Sequence, residues 1–413
     1  MITTAEWVED SVQIARMAKT LPRWLAEVPL YRGRAPRSGC PEQTDQFLHC
    51  FRSLPVISKR EIRHGFPHNF LPPDVELRSL LDRDLVELER TSGTLEPATP
   101  LLLARGWWSE QERAILQLND WVARAIESPV RRVTITSPVC SSELCYTGTL
   151  ARSDRIVDQA LFVNLSRHPF LWSETALSRM VEETLEWQPA FLDLDPVYGV
   201  LFARYCEEQG IRLPGLKFIL SSYEFLSVVH RRRLQRVFGV PVFNLYGSTE
   251  TGHLLMEDEA GRMLPNVASA FLEIINAGED GVGELVVTTL TNHYMPLIRY
   301  SIGDLVRARP ARFQTAFELH GRAQDALTST RGHRVSVSQI DQCFEGFDGI
   351  VHYQLRQESD DRFTLYYVPD QTAVGGIDLP KLRLRLGDLF ACNGGLRFEP
   401  VDYIPCESSG NSA

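Results

Sequence analysis

The segment "LKFILSSYEFLSVVHRRRLQRVFGVPVFNLYGSTETG", residues 216–252, decides the fold class. Its two ends, 216–222 and 241–247, are short, apolar and rich in strand-forming residues, whereas 225–238 has the spacing of a helix. A strand, a helix and a second strand in this order are typical of a parallel sheet covered by helices.

The same alternation extends towards the N-terminus. It predicts helices at 107–127, 173–186 and 197–210, and strands at 131–137, 159–165 and 189–195. Beyond Gly247 the pattern changes to strands and turns, which indicates an antiparallel or barrel-like portion. Towards the C-terminus it predicts helices at 337–346 and 378–391, and strands at 350–357 and 362–369.

These patterns predict an α/β protein of two domains. A large N-terminal domain, residues 1–320, has parallel sheets flanked by helices plus a barrel-like β portion. A small α+β C-terminal domain, residues 321–413, is expected to be mobile. A chain of 413 residues, 44% hydrophobic and 23% charged, is long enough for such domains.

Composition narrows the class of protein. A formal net charge of -10 gives no basic surface for nucleic acid. The N-terminal residues lack the pattern of a secretory signal, and no run reaches the roughly 18 apolar residues of a membrane span, so we expect a soluble, cytoplasmic protein without a membrane partner. The eight cysteines include no Cys-x-x-Cys pair, and we expect them to be buried free thiols.

Six short motifs carry polar and glycine residues at the ends of predicted strands or in turns. They are "TSGT" (91–94), "SSYEFLS" (221–227), "NLYGSTETG" (244–252), "IRYSIGD" (298–304), "GRAQD" (321–325) and "RGHRVSVSQID" (331–341). The first can surround a phosphate with hydroxyl and N–H groups, or can simply cap the next helix.

The motif at 244–252 follows an apolar strand, at the sheet edge where open α/β sheets bind ligands. There Tyr246 could stack on a purine, Thr249 could donate to a phosphate and Glu250 could hold a magnesium ion. A plain glycine turn is the alternative. Asp304 offers two acceptor oxygens for sugar hydroxyls, or forms an Asx turn.

In this order and at these separations the six motifs resemble the adenylate-forming superfamily, in its phenylacetate-CoA ligase-like branch, over roughly residues 85–345. The resemblance implies that nucleotide is bound by Thr91, Ser92, Gly93, Thr94, Ser222, Glu224, Tyr246, Gly247, Ser248, Asp304 and Arg322. It also implies catalytic roles for Thr249, Glu250 and Arg322, with Glu250 as the metal ligand, and makes Asp325 the hinge of the C-terminal domain.

The implied activity is an AMP-forming ligase of the acid–thiol class. Its cofactors would be ATP/AMP, Mg²⁺ and either coenzyme A or the phosphopantetheine of a carrier protein. Its substrate would be a small aryl or acyl carboxylate in a low-flux, secondary-metabolism setting. An acyl carrier protein as partner and a homodimer both stay open.

Two lysines of the superfamily pattern are missing. Leu95-Glu96 stands where the phosphate loop has Gly-Lys, and Asn411 follows Gly410 where the C-terminal segment has a lysine. Arg90, Arg105, Arg334 and His253 are candidate replacements. The alternative is a family member without adenylation, either a thioester hydrolase or transferase with His253 as general base, or a nucleotide binder.

Overall fold

A computed structural model describes residues 11–34, 40, 44–91, 97–126, 130–138, 150–311, 315–373, 376–392 and 394–405. Its α-helices are α1 (Ser11–Glu27), α2 (Thr44–Ser53), α3 (Lys59–Arg63), α4 (Leu77–Asp82), α5 (Trp107–Leu116), α6 (Asp120–Ala125), α7 (Glu174–Trp187), α8 (Pro196–Glu208), α9 (Val228–Phe238), α10 (Val337–Gln342) and α11 (Leu379–Phe390).

The strands up to residue 248 are β1 (Val86–Arg90), β2 (Pro100–Ala104), β3 (Arg132–Ile135), β4 (Ile156–Val157), β5 (Ala160–Phe162), β6 (Phe191–Leu194), β7 (Phe218–Ser221) and β8 (Val242–Ser248). Those that follow are β9 (Gly252–Glu257), β10 (Met263–Pro265), β11 (Ala270–Ile275), β12 (Val282–Thr289), β13 (Tyr300–Pro310), β14 (Thr315–Arg322), β15 (Leu327–Thr328), β16 (Arg334–Val335), β17 (Ile350–Ser359), β18 (Arg362–Pro369) and β19 (Leu396–Pro400).

The chain divides into two compact units. Unit 1 comprises Met1–Asp120 with Tyr246–Leu319, and unit 2 comprises Trp121–Leu245 with His320–Ala413. The chain passes from one unit to the other at three places, within α6, within β8 and within β14. A domain boundary between residues 320 and 321, and the mobility of residues 321–413, stay predictions.

Unit 2 contains the parallel sheet that the sequence predicts. Its strand order is β8-β7-β6-β3-β5-β4, and β5, β3, β6, β7 and β8 run parallel to their neighbours in that series. Apolar side chains of β3, β6 and β7 form one core with α8, most of whose residues are buried. Asp195 caps α8 by accepting hydrogen bonds from the N–H groups of Val197 and Tyr198. The α/β fold class is therefore confirmed.

The strands of unit 1 that follow residue 251 form an antiparallel sheet. The order is β11-β12-β13-β14-β10-β9, with antiparallel registers for β11 with β12, β12 with β13, β10 with β14 and β10 with β9. The prediction of one continuous helix at 107–127 is wrong, because these residues form two helices, α5 and α6. At the break Asn119 is fully buried and its amide donates to the carbonyl of Glu257, so a tertiary hydrogen bond replaces helix continuation.

The last three strands of unit 2 form a small sheet, and α10 and α11 pack against one of its faces. β17 and β18 are antiparallel, and β18 and β19 are parallel. Apolar residues of α10 and α11 pack with Phe363 and Leu365 of β18 in one core. This is the α+β arrangement expected for the C-terminal part of the chain.

A pair of buried histidines joins α9 to β17 within unit 2. His230 Nε2 and His352 Nδ1 are 3.1 Å apart, and the two rings are stacked with centroids 5.2 Å apart. Burial lowers the pKa of His352 to about 4. Burial, then the neighbouring His352 and Arg233, hold the pKa of His230 well below its ordinary value.

We expect this pair to make folding sensitive to acid. Both imidazoles are neutral in the folded chain but protonate near pH 6.5 when unfolded, so stability is lost as the pH falls from about 6.5 towards 4, by about 3 kcal/mol for His352 alone. Replacing both residues by Phe should flatten this dependence. The measurement is chemical denaturation of both proteins at pH 7.5 and 5.

The comparison must be between variants because buried carboxyls oppose the effect. Burial raises the pKa of Asp195 to about 7 and that of Asp341 to about 6, which favours the folded chain as the pH falls. His68→Gln, at an exposed site, is the matched control. An equal pH dependence in the native chain and the double Phe variant would contradict the prediction.

The described cysteines include one disulfide pair. Cys40 and Cys50 form a disulfide with Cα atoms 5.5 Å apart, so the expectation of free thiols is wrong for this pair. No spacing pattern in the sequence indicates this pair, because Cys40 and Cys50 are 10 residues apart and meet only in the folded chain. Cys206, Cys343 and Cys392 are free and buried.

Among the described helices, none has the length and apolar character needed to cross a membrane.

Candidate functional site

The motif "YGSTETG" forms a tight turn between β8 and β9 in unit 1. Ser248 Oγ lies 3.0 Å from Thr251 Oγ1, and the N–H of Thr251 donates to the Ser248 carbonyl. A Cβ on Gly247 would lie 2.2 Å from the carbonyl oxygen of Gly252, so only glycine fits at position 247. The glycines thus have a structural role, and the side chains of Thr249 and Glu250 are left to carry any chemistry.

Glu250 turns into the interior of unit 1 and meets two donors. Its carboxylate is 5% exposed, and its Oε1 accepts a hydrogen bond of 2.9 Å from the buried hydroxyl of Tyr300. The ammonium of Lys59 lies 3.4 Å from the same oxygen. A buried carboxylate of this kind is stable only when it is paired, and here a cation and a hydroxyl supply the pairing.

Lys59 lies outside the six motifs and is not one of the replacement cations that they suggest. It is the first residue of α3, whose start is fixed by a capping box: Glu61 accepts from the Ser58 N–H at 2.9 Å, and Ser58 Oγ accepts from the N–H of Arg60. Hydrogen bonds from Ser58 lower the pKa of Glu61 to about 2. The Ser-x-x-Glu spacing could have located this helix start.

A backbone bridge brings Lys59 to the turn motif. The N–H of Ile57 donates to the carbonyl of Arg299, and the N–H of Ser301 donates to the carbonyl of Ile57, each at 2.9 Å. Ile57 thereby pairs with Tyr300, whose hydroxyl binds Glu250. Three segments that are far apart in sequence therefore converge on one carboxylate.

Tyr246 and Asp304 are also brought together in unit 1. The hydroxyl of Tyr246 donates to Asp304 Oδ2 at 2.6 Å, and both side chains are half-buried. Tyr246 belongs to β8 and Asp304 to β13. A tyrosine ring beside a carboxylate that can accept from two hydroxyls is an arrangement suited to a purine and its ribose.

The predicted phosphate loop lies mainly outside the described residues. Ser92, Gly93 and Thr94 of the expected loop, with Leu95 and Glu96, are among the undescribed positions, as is Asn411. Thr91 is described: its N–H donates to the carbonyl of Thr99, and its hydroxyl accepts from the N–H of Thr99 at 2.9 Å. Thr91 therefore closes the base of this loop.

The replacement cations proposed from sequence have other neighbours. Arg105 pairs with Asp84 and Glu87 on the surface of unit 1. The ring of His253 packs edge-on against Trp108, with centroids 5.2 Å apart. Arg90 lies on β1 and Arg334 on β16. Of the cations discussed, Lys59 is the one in contact with the Glu250 carboxylate.

The remaining predicted residues lie in unit 2. Ser222 and Glu224 follow β7 at the carboxyl end of the parallel sheet, and the N–H of Glu224 donates to the Ser222 carbonyl at 2.9 Å. Arg322 and Asp325 are exposed at the two ends of a short turn after β14. Asp193 lies outside the six motifs, and its buried carboxylate accepts from Ser222 Oγ at 2.9 Å.

The surroundings of Glu250 suit a magnesium ion that is also bound by substrate phosphates better than they suit a metal held by protein ligands alone. Over the described ranges, no cluster of three or more His, Cys, Asp or Glu side chains is arranged to hold a metal ion. Magnesium is usually bound by one or two carboxylates together with the phosphates of a substrate. A single buried glutamate beside a turn of hydroxyl residues fits that requirement.

Comparison with known proteins gives relatives for most of the chain, although no protein-family model matches it. Phenylacetate-coenzyme A ligase of Pseudomonas putida is 24% identical over 358 residues, 80% of this chain and 74% of the relative. The enzyme of that name from Escherichia coli (strain K12) is 23% identical over 380 residues, 84% of this chain and 78% of the relative. Protein CapK of Staphylococcus aureus is 26% identical over 243 residues, and the chain spans about half of its length, 54%.

Solved structures show the same fold at low sequence identity. A 2-hydroxyisobutyryl-CoA ligase, in the postadenylation state with an acyl-AMP, has a TM-score of 0.72 at 18% identity, covering 98% of this chain and 88% of its own. ATP-bound MatB from Rhodopseudomonas palustris has a TM-score of 0.52 at 15% identity, covering 79% of this chain and 66% of its own. The six motifs stand in their expected order and these relatives cover most of the chain, so the chain is similar to adenylate-forming ligases in sequence and shares their fold.

Proposed function

We propose that the protein is an AMP-forming acid–thiol ligase that activates a small carboxylic acid with ATP. The observation that carries this proposal is the Glu250 carboxylate, buried at the turn motif and paired with Lys59 and Tyr300. The relatives that are phenylacetate-coenzyme A ligases support it. The alternative, a thioester hydrolase or transferase with His253 as base, is not favoured by any of these relatives.

In the first half-reaction, a carboxylate oxygen of the acid attacks the α-phosphorus of ATP. The bond from that phosphorus to the bridging oxygen breaks, which gives an acyl-adenylate and pyrophosphate. In the second half-reaction a thiol sulfur attacks the acyl carbon, the bond to the phosphate oxygen breaks, and AMP leaves. The first step is catalysed chiefly by groups that meet charge on the phosphate oxygens.

The described residues can divide these tasks among them. Tyr246 would pack against the adenine. Asp304, which accepts a hydrogen bond from the Tyr246 hydroxyl, would instead accept hydrogen bonds from the ribose hydroxyls when nucleotide binds. Thr249 would donate to the α-phosphate. Lys59 is the cation that can take over the charge stabilisation that the two missing lysines would supply, because its ammonium already lies beside the Glu250 carboxylate.

Glu250 would hold a magnesium ion, which when bound would supply positive charge to stabilise the phosphates. Ser92, Gly93 and Thr94 would surround the phosphates, and Arg322 and Glu224 would also bind the nucleotide. Coenzyme A, or the phosphopantetheine of a carrier protein, would provide the thiol. We also propose that Asp325 is the hinge of the C-terminal domain and that the protein forms a homodimer. It would act in the cytoplasm, in secondary metabolism.

The test is pyrophosphate release with a panel of carboxylic acids. We expect release that depends on both ATP and an acid, with AMP and not ADP as the second product, followed by thioester formation when coenzyme A is added. Reactions without acid are the control. Tight AMP binding with no pyrophosphate release from any acid in the panel would contradict the proposal.

A further inference from the structure

A buried arginine, Arg299, lies directly before β13 in unit 1. It is 6% exposed, and its Nε donates to Glu273 Oε2 at 3.1 Å, which gives a buried ion pair with β11. Its backbone N–H donates to Thr288 Oγ1, on β12, at 3.0 Å. Arg299 is therefore fixed to two other strands of the antiparallel sheet.

The rest of the guanidinium binds the end of α2. Its Nη1 donates to the carbonyls of Arg52, in the last turn of that helix, and Leu54, just beyond it. The last carbonyls of a helix have no partner within the helix, and a cation there also meets the negative end of the helix dipole. The guanidinium carbon lies 5.8 Å from the centre of the Phe51 ring. Arg299 thus ties the end of α2 to the sheet.

The segment that follows α2 leads to Lys59. Beyond Leu54 the chain pairs with Tyr300 at Ile57, and α3 begins at Lys59. The N–H of Ile57 donates to the backbone carbonyl of Arg299. Arg299 therefore holds this segment at its start through the side chain and near its end through the backbone. The place of the Lys59 ammonium beside Glu250 depends on both contacts.

The backbone of Arg299 is strained. Its φ is 54°, in the left-handed region that residues with a side chain seldom adopt. Strain of this kind persists only where the surrounding contacts impose it, and it is concentrated at functional sites. The buried ion pair agrees with such a role, because apolar side chains of similar size often stabilise a fold as well as a buried ion pair does. What the pair adds is a fixed direction for its hydrogen bonds.

From this geometry we propose that Arg299 is a positioning residue for adenylation, which sets the place of the Lys59 ammonium relative to the Glu250 carboxylate. It acts through Lys59 and does not bind the nucleotide. A cation contributes most to catalysis when it is in place before charge develops, and a displacement of about 1 Å can lower the rate by about 10²-fold. This inference rests on the proposed ligase function for its kinetic consequence.

The first test is the rate of Arg299→Lys. Lysine keeps a positive charge for Glu273, but a single ammonium cannot reproduce the fork that binds a carboxylate and two carbonyls. We expect kcat for pyrophosphate release to fall by about 10- to 100-fold, whereas the KM for ATP and the affinity for AMP stay within about threefold. Arg309→Met is the matched control and should change neither, because Arg309 of β13 pairs with Glu318 at the surface.

The second test asks whether Arg299 acts through Lys59. In a Lys59→Met background, Arg299→Lys should change kcat by less than about threefold, because the group that it positions is already absent. A residue that only stabilises the fold would lower the rate by the same factor in both backgrounds. Chemical denaturation of each variant shows how much of the protein is folded in the assay.

The third test needs no activity, because the chain has only four lysines, Lys19, Lys59, Lys217 and Lys381. After reductive methylation with ¹³C-formaldehyde, NMR gives a separate signal for each. The double variant Arg299→Met/Glu273→Leu removes both charges of the buried pair, so neither is left unpaired. The Lys59 signal should then shift towards its position in Glu250→Gln, while the signals of the other three lysines stay in place.

The outcomes separate this inference from the proposed function. A native kcat in Arg299→Lys, an equal loss of rate in both Lys59 backgrounds, or an unchanged Lys59 signal would each overturn the inference. If the native protein releases pyrophosphate with no acid, the ligase proposal fails, and the Lys59 signal still decides whether Arg299 positions this lysine. If the double variant does not fold, Arg299→Lys takes its place in the NMR measurement, where the new lysine adds one signal.

Discussion

Glu250→Gln is expected to reduce ATP-dependent turnover on the order of 10³-fold, since a metal ligand that stabilises transition-state charge contributes several kcal/mol and each 1.36 kcal/mol is a factor of ten. The substitution keeps the size of the side chain and an acceptor for the Tyr300 hydroxyl. It removes the negative charge and leaves the Lys59 ammonium without its counterion. The chemistry should therefore be lost while the fold persists.

The measurement is the initial rate of pyrophosphate release at saturating ATP and acid. Glu279→Gln, at an exposed position of unit 1, is the matched control and should keep the native rate. AMP affinity should change little in either variant, because Tyr246 and Asp304 are untouched. A Glu250→Gln protein that retains a rate within threefold of the native one would rule out the role of Glu250.

Lys59→Met should lower the rate of adenylation by about 10²–10³, the usual effect of losing one positioned donor to a developing anion. Methionine preserves the apolar part of the side chain, so the start of α3 and its capping box should be kept. Lys59→Arg should restore part of the rate, because a guanidinium also carries the charge. We expect the loss in kcat and not in the affinity for AMP.

Arg60→Met is the control for Lys59. Arg60 is the next residue of α3, but its side chain is 86% exposed and it pairs only weakly with Glu61 at the surface. Its replacement should leave the rate unchanged. If Lys59→Met were as active as the native chain while Glu250→Gln was inactive, the Lys59–Glu250 contact would be a structural ion pair and the missing lysines would need another replacement.

The sequence by itself predicted most of the unit 2 fold. Strands at 189–195, 216–222 and 241–247 and helices at 197–210 and 225–238 correspond to β6, β7, β8, α8 and α9 within a few residues. These elements are fixed by local patterns, namely short apolar runs, helical spacing and caps such as Asp195. The break after α5 was missed because it depends on a hydrogen bond from Asn119 to a distant carbonyl.

The motifs likewise placed Tyr246, Glu250 and Asp304 in the candidate site, since each stands at a fixed position in a short quoted stretch. Sequence order cannot show that Lys59 meets Glu250, or that Asp193 meets Ser222 and Tyr223. The first contact depends on the bridge between Ile57 and Tyr300, and the second on a strand register.

Local sequence therefore determined the elements, the turn that presents Glu250 and the class of chemistry. The tertiary structure alone decided which cation stands beside that carboxylate and which buried carboxylate lies among hydroxyls on the sheet. The physical reason is that helix and strand periodicity, capping and turn formation act over a few residues. Pairing of buried charges acts between side chains that only the folded backbone brings within about 3 Å.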